Sequence, residues 1–178
     1  MRRDSLAARG GSVSSRPDFC LGIDPGLSGS LALLRCEGLK IESIYDMPVT
    51  DGRVDAARLA LIVGMCQLQG TIVAAVELVS SMPRQAGAFN FGVSAGCVHG
   101  VLGALGVPMV LIPPGVWKPG CGLRRLTNES QAQNKSRARE LATKLWPLQA
   151  GLFKLIKNHD RAEAALLARF FCTKQGWV

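Results

Sequence analysis

One uninterrupted apolar segment near the middle of the chain limits the number of folds that the whole chain can adopt. Residues 71–77 (TIVAAVE) contain five apolar side chains in a row, from Ile72 to Val76, and then end in Glu77. A run of this length and composition is typical of a strand buried on both faces of a sheet. Such a strand needs other elements packed above and below it, which favours an α/β architecture.

The neighbouring segments supply those elements. Three short strands are predicted first, close enough together to form an antiparallel meander, at 19–23, 30–34 and 41–47. A further strand is expected at 107–112, where Pro113 and Pro114 stop it. Apolar residues at helical spacing predict four helices, at 55–69, 88–105, 131–146 and 160–172. We therefore expect an α/β fold with a mixed five-stranded sheet flanked by helices.

Length and composition indicate one folded domain with a basic tail. The chain has 178 residues and is 48% hydrophobic, so we expect a single domain over 18–178. Residues 1–17 are rich in Arg, Ser and Gly and lack the apolar core of a secretory signal. A disordered tail and a cytoplasmic location in a bacterial or phage-like setting are expected, with an organellar presequence as the alternative. Apolar runs fall far short of the roughly 20 residues of a membrane span, so no membrane partner is predicted.

The cysteines argue against a zinc site or a disulfide framework. Six are scattered along the chain without a close-spaced pair. We expect them to be buried free thiols.

The positive charge is concentrated in the last third of the chain. Residues 1–117 contain nine basic and nine acidic side chains, whereas residues 118–178 contain twelve basic and four acidic ones, which equals the whole excess of +8. Such a concentration suggests a polyanionic partner, because Lys and Arg gain affinity by releasing phosphate counterions. An ordinary solvated surface explains the charge equally well.

Four carboxylates lie where packing alone does not explain them. Asp24 ends the first strand, Glu77 ends the most apolar one, and Asp160 and Glu163 are spaced i, i+3 on one face of a predicted helix. Mg²⁺ prefers such hard oxygen ligands, and two ions roughly 3.5–4 Å apart would suit a phosphodiesterase. Each residue also has a structural explanation, as a turn residue, a solvent-facing strand end, a helix cap or a partner of the helix dipole.

Short motifs around these carboxylates resemble one family. The segment Gly22-Ile23-Asp24-Pro25-Gly26, followed by Ser28-Gly29, resembles the first motif of the RuvC-like Holliday-junction resolvases of the RNase H-like superfamily. Val76-Glu77 resembles the second motif, and the segment 159–164 (HDRAEA) resembles the last. Segments 82–85 and 89–92 and the pair Trp117-Lys118 resemble parts of phage-type members. The match covers about residues 19–170, in order.

The resemblance implies a fold, a site and a substrate. It implies an RNase H-like fold and a homodimer that nicks two opposed strands of a four-way DNA junction. Two Mg²⁺ ions per site, with Mn²⁺ as the alternative, would be held by four ligands: Asp24, Glu77, Asp160 and Glu163. Glu163 departs from the bacterial pattern, in which Asp is usual, and agrees with phage and chloroplast members. His159 is a candidate proton relay, although a plain flank of the helix explains it too.

Other residues are candidates for contact with DNA. The basic ones, expected to bind phosphates, are Arg84, Lys118, Arg124, Arg125 and Lys135. Phe89 or Phe91 could stack on an unpaired base, or both could belong to the core. The glycine-rich segment 92–104 could pack closely on a second copy or on its own sheet.

Three other functions are compatible with parts of the pattern. The turn at 24–30 also resembles the phosphate loop of actin-like ATPases, but no second loop is present and the chain is too short for two such domains. An RNase H-like nuclease acting on RNA–DNA hybrids or flaps would need the same carboxylates. A non-catalytic protein that binds branched DNA would need only the basic surface.

Overall fold

A computed structural model describes residues 16–78, 88–124, 127 and 130–177. These residues contain seven strands: β1 (Phe19–Ile23), β2 (Ser30–Arg35), β3 (Ile41–Asp46), β4 (Val49–Thr50), β5 (Arg53–Val54), β6 (Ile72–Glu77) and β7 (Met109–Ile112). Five helices accompany them: α1 (Ala56–Gln67), α2 (Ala88–Ala104), α3 (Pro114–Gly120), α4 (Gln131–Leu145) and α5 (His159–Lys174). Short 3₁₀ turns cover Glu37–Leu39, Pro147–Phe153 and Ile156–Asn158.

The main sheet has five strands in the order β3-β2-β1-β6-β7. The first three strands pair antiparallel, and β6 pairs parallel with both β1 and β7. The predicted meander and the predicted mixed five-stranded sheet are therefore confirmed. The parallel strands end at the same edge of the sheet, which is where α/β proteins commonly build their sites.

Helices cover both faces of this sheet. Alternate residues of the strands point to opposite faces, so Cys20, Ala32 and Val73 belong to a core shared with α4 and α5. Leu21 and Ala74 belong to the second core, on the face covered by α1 and α2. Asp24 and Glu77 continue the alternation and fall on the α5 face.

Helix α5 packs closely against β1 at a glycine. A Cβ atom added to Gly22 would overlap the carbonyl oxygen of Ala164 and lie 2.9 Å from the Cβ atom of Ala168. The small residues Ala164, Ala165 and Ala168 are fully buried beside it. Only glycine at this position lets the helix axis approach the strand so closely, and that approach brings the first turn of α5 to the end of β1.

Two predicted helices begin with side-chain caps that their sequences encode. The Asp55 carboxylate accepts a hydrogen bond from the Arg58 backbone N–H at 3.0 Å, before α1. The Ser130 hydroxyl accepts a hydrogen bond from the Gln133 backbone N–H, and the Gln133 side chain accepts one in return from the Ser130 backbone N–H. This reciprocal capping box fixes the start of α4.

The sequence interpretation missed two elements. Pro113 and Pro114 were expected only to stop a strand, but Pro114 also occupies the first turn of α3, where its missing N–H costs nothing. The hairpin of β4 and β5 was not predicted either; Asp51 and Gly52 turn it with positive φ values of 51° and 70°. Strand β7 is also shorter than expected, and three of its four residues are exposed.

Six cysteines are free, and four of them are buried. Cys97 and Cys121 are partly exposed, so the expectation of buried thiols is correct for four of the six.

Most of the predicted tail lies outside the described residues, as do Arg84 and Arg125. Within the described ranges, no helix is long and apolar enough to cross a membrane.

We expect Gly22→Ala to destabilise the protein, because the added methyl group must displace α5 from β1. Overpacking of this kind costs about 1–3 kcal/mol in the free energy of unfolding, which urea denaturation would measure. Gly64→Ala in the middle of α1 is the matched control, since nothing lies within 4 Å of its added Cβ atom. It should stabilise the protein by about 0.5–1 kcal/mol. Equal effects of the two substitutions would contradict the close approach at Gly22.

Candidate active site

Asp24 and Glu77 lie side by side at the carboxyl ends of two parallel strands. Ile23 pairs with Val76 in the last rung between β1 and β6, so the next residue of each strand is a carboxylate on the same face. The Asp24 backbone N–H donates to the Ser30 carbonyl at 3.0 Å, and its Oδ1 accepts from the Gly26 N–H at 3.1 Å. The turn after β1 therefore holds the Asp24 carboxylate in place.

The first turns of α5 bring the other two carboxylates to this edge. Asp160 and Glu163 are both 7% exposed, which is unusual for acidic side chains. Arg161, between them, binds Asp46 at the end of β3 through two contacts of 2.6 Å. This bidentate pair ties the start of α5 to the sheet.

Helix α3 supplies two side chains that meet the carboxylates. Trp117, which is fully buried, donates its indole N–H to Glu77 Oε2 at 2.8 Å. Lys118 donates its ammonium to Glu163 Oε2 at 2.9 Å. The Lys118 side chain is 24% exposed and the Glu163 side chain 9%, so this ion pair lies largely away from water.

Burial raises the pKa of three of the carboxyl groups. The pKa of Asp24 rises to about 6, because burial and the charges of Asp160 and Glu163 outweigh the Gly26 hydrogen bond. The pKa of Glu77 rises to about 7, again mainly through burial, although the Lys118 charge opposes the rise. The pKa of Asp160 is raised by burial, against the charges of His159 and Lys135. The carboxyl groups therefore interact electrostatically across the site.

His159 contacts Asp160 from the side. Its Nε2 lies 2.8 Å from Asp160 Oδ1, although the alignment is not that of a hydrogen bond, and its Nδ1 lies 3.1 Å from the Ile156 carbonyl oxygen. Both ring nitrogens lie close to acceptor oxygens. His159 is thus placed to exchange a proton with the site, and its role as a relay stays a prediction.

Three of the predicted DNA contacts line one cavity beside the carboxylates. Lys118, Arg124 and Lys135 surround a space of about 350 Å³, and Glu163 forms part of its wall. Sequence reasoning selected these residues one by one, and folding brings them together. Arg84 and Arg125 lie outside the described residues, so their positions relative to this cavity are not part of the structure.

The two candidate stacking residues have different surroundings. Phe89 is 82% exposed on the first turn of α2. Phe91 is partly buried, and its Cε2 lies 3.5 Å from the place of an added Cβ atom on Gly26, in the turn after Asp24. Phe89 is therefore free to meet a ligand, while Phe91 packs beside the turn that holds Asp24.

The donor set fits hard divalent cations in its chemistry. It consists of carboxylates alone, and oxygen ligands of this kind suit Mg²⁺ and Mn²⁺. Within the described ranges, no three His, Cys, Asp or Glu side chains are close enough together to ligate one ion. Because Lys118 binds Glu163, part of the negative charge is already neutralised by an ammonium group.

Sequence reasoning missed two contacts of the carboxylates. Trp117 was noted only as part of a Trp-Lys motif, and nothing in its local sequence indicates a hydrogen bond to Glu77, 40 residues away. Ser28, quoted in the first motif, lies close enough to Asp160 for its hydroxyl to counteract the rise of the Asp160 pKa. A hydroxyl close after the Asp24 turn was the signal that could have suggested it.

Comparison with known proteins finds matches in structure but none in sequence. No protein-family model matches the chain, and no curated protein sequence gives a significant match. The structure of Thermus thermophilus RuvC matches with a TM-score of 0.57 and 19% identity, covering 89% of this chain and 96% of that one. T. thermophilus RuvC in complex with a Holliday junction substrate matches with a TM-score of 0.57, 20% identity and the same coverage.

These matches establish the fold. The chain has the RNase H-like fold of RuvC, with a mixed five-stranded sheet flanked by helices. The resemblance inferred from the motifs is thereby confirmed for the fold.

We expect the metal-free protein to lose stability as the pH rises from about 4 to about 7. The folded pKa values of Asp24 and Glu77, about 6 and about 7, exceed their usual values of 3.8 and 4.5. A group with a raised pKa binds its proton more tightly in the folded state, so its contribution to stability is present at low pH and is lost as it ionises. Urea denaturation in EDTA at a series of pH values would measure this loss.

The double variant Asp24→Asn, Glu77→Gln is the comparison for this experiment. Its free energy of unfolding should depend less on pH in the same range, since neither amide ionises. Superimposable pH profiles of the two proteins would show that the carboxyl groups do not have raised pKa values.

Proposed function

We propose that this protein is a metal-dependent, structure-selective DNA endonuclease that resolves four-way junctions by paired nicks. Residues 18–178 are its proposed nuclease domain, and the cytoplasm is its proposed location. The observation that carries the proposal is the position of four carboxylates, after β1, at the end of β6 and on the first turns of α5, at one edge of a RuvC-like sheet where their charges act on one another. Four acidic groups at one largely buried edge are costly to a fold unless positive charge balances them.

Asp24, Glu77, Asp160 and Glu163 are the proposed ligands of two Mg²⁺ ions, with Mn²⁺ as an alternative. Bound divalent ions would lower the pKa of the attacking water and stabilise the leaving oxygen of the phosphodiester. The chain's own contribution is to orient the ligands. Trp117 holds one oxygen of Glu77 through its indole N–H, and Ser28 lies beside Asp160. His159, beside Asp160, remains the candidate for proton exchange.

The basic cavity beside Glu163 supports a nucleic-acid substrate. Lys118, Arg124 and Lys135 present three positive charges next to the carboxylates, and phosphate oxygens are their natural partners. An extended strand that placed one phosphate at the carboxylates would place its neighbours along this cavity. The exposed ring of Phe89, on the first turn of α2, is available to stack on an unpaired base.

The proposed selectivity for a four-way junction rests on a structural comparison. One matching structure, that of T. thermophilus RuvC, is described as a complex with a Holliday junction substrate. RNA–DNA hybrids and flaps remain the competing substrates, since the carboxylates set the chemistry and the surface selects the substrate.

A second copy of the chain is the proposed partner, because two opposed nicks need two sites. Helix α2 supports this proposal through a stripe of four exposed glycines: Gly92, Gly96, Gly100 and Gly103. Nothing lies within 4 Å of an added Cβ atom at any of them. Packing on the protein's own sheet therefore does not account for them, although each costs about 1 kcal/mol relative to Ala in a helix. Close approach of a second α2 would account for them.

The first experiment is a cleavage assay with a synthetic four-way junction, a linear duplex, an RNA–DNA hybrid and a flap, in Mg²⁺ and in EDTA. We expect symmetrical nicks in the junction alone, which EDTA, Asp24→Asn and Glu77→Gln each abolish. Glu77→Gln should still bind the junction, since removing a metal ligand leaves the basic cavity intact. Loss of a transition-state interaction reduces the rate rather than affinity.

Other outcomes of this assay assign other functions. Cleavage of the hybrid or the flap would keep the metal site and reject the junction as substrate. Binding of the junction without cleavage in Mg²⁺ would favour a non-catalytic protein. Cleavage retained by Glu77→Gln would remove Glu77 from the metal site.

The dimer is tested by Gly96→Leu in the exposed stripe of α2. We expect the side chain to separate two closely packed helices and to weaken dimerisation by at least about tenfold, which is a typical effect of overpacking. Sedimentation velocity over a range of concentrations would measure it, with Gly64→Leu on α1 as the matched control. A wild-type monomer, or a dimer that Gly96→Leu leaves unchanged, would contradict this interface.

A further inference from the structure

The ammonium group of Lys118 lies beside the acidic site. It donates to Glu163 Oε2 at 2.9 Å, and its positive charge also acts on Asp24 and Glu77. Burial opposes the charge on Lys118, but the attraction of Glu163 and Glu77 outweighs it, and the pKa of Lys118 is raised. The ammonium therefore serves as the counter-ion of the carboxylate cluster.

The neighbouring residue strengthens this arrangement. Trp117 and Lys118 are consecutive in α3, and together they bind one carboxylate from β6 and one from α5. The Lys118 ammonium also lies 5.2 Å from the centroid of the Trp117 ring. Helix α3 thus holds the ammonium between the Glu163 carboxylate and the Trp117 ring.

A divalent cation would use the same oxygen atoms. Glu163 Oε2 can direct its lone pairs to the ammonium or to a metal ion, and two cations at one carboxylate oxygen would repel each other. The cavity that Glu163 and Lys118 line together also contains Arg124 and Lys135, so it offers Lys118 an alternative position facing a phosphate. A rotation of the flexible lysine side chain would exchange the two positions.

We propose that Lys118 is a built-in competitor of the divalent cation: it neutralises Glu163 in the metal-free protein and, when the cation binds, turns into the basic cavity and contacts a DNA phosphate. The second half of this inference rests on the proposed function, whereas the competition for Glu163 does not. Metal loading therefore adds one phosphate contact to the DNA surface, and the protein binds DNA most strongly when its site is ready to act.

The first test measures the binding of Mn²⁺ alone, by electron paramagnetic resonance or calorimetry, without DNA. Lys118→Met removes the competing ammonium, so Mn²⁺ should bind about tenfold more tightly, the value of one hydrogen bond to a charged group. Lys135→Met is the matched control, because it removes the same charge from the same cavity but no hydrogen bond to Glu163. It should change Mn²⁺ affinity much less. Unchanged or weaker Mn²⁺ binding by Lys118→Met would overturn the proposal.

A measurement on the wild-type protein covers the case in which Lys118→Met does not fold. The hydrogen bond to Glu163 should protect the Lys118 ammonium protons from exchange and make their NMR signal visible. Mg²⁺ should abolish this signal as it displaces the ammonium into the open cavity. A Lys118 signal that persists while Mg²⁺ saturates the carboxylates would contradict the competition.

The second test compares the salt dependence of junction binding in Ca²⁺ and in EDTA, with the DNA verified to stay intact. If Lys118 contacts a phosphate only when the site is loaded, Lys118→Met should reduce the slope of log affinity against log salt by about 0.9 in Ca²⁺. In EDTA it should leave the slope unchanged. Equal slopes of wild type and variant in Ca²⁺ would overturn the phosphate contact, and a reduced slope in EDTA would overturn its dependence on metal.

The two tests separate this inference from the proposed function. Tighter Mn²⁺ binding by Lys118→Met in a protein that cleaves none of the four DNA substrates would uphold the competition and reject the nuclease. Junction cleavage with unchanged Mn²⁺ binding would do the reverse.

Discussion

The close contact between α5 and β1 at Gly22 is the constraint on which the site depends. Four of the proposed functional groups come from elements that are far apart in sequence, and Asp160 and Glu163 reach Asp24 only because the helix lies almost on the backbone of the strand. The buried alanines beside Gly22 make the same approach possible along the helix. Arg161 then fixes the rotation of the first turn by binding Asp46. A larger residue at position 22 would move the helix and both of its carboxylates together.

The parallel pairing of β1 and β6 has an equally direct effect on charge. It places Asp24 and Glu77 next to each other and next to the start of α5, where both are partly buried. Burial and mutual repulsion raise the pKa values there. The fold relieves this repulsion in part with the indole N–H of Trp117 and the ammonium of Lys118. The Lys118 ammonium therefore balances part of the negative charge of the site.

Much of the fold could be predicted from local patterns. The β1, β2 and β6 strands are short apolar runs, and α1 and α4 begin at Asp55 and Ser130, whose side chains cap them. Prediction failed where a residue type has two roles. Two prolines stop a strand, but Pro114 also starts α3. The local sequence does not distinguish these two roles, because the helix forms only when the residues after Pro114 pack against a core. The glycines of α2 were equally ambiguous, since sequence cannot reveal whether any atom lies opposite them.

By itself, the sequence determined which carboxylates could be proposed for the site. Carboxylates at the ends of apolar strands and at i, i+3 on a helix follow from composition and periodicity, so Asp24, Glu77, Asp160 and Glu163 could be named in advance. Only the tertiary structure decided what each of them touches. Trp117 meets Glu77 across 40 residues and Lys118 meets Glu163 across 45. The physical reason is that hydrogen bonds and buried charges act over a few ångströms of space. The number of residues between two side chains does not reveal whether they lie that close.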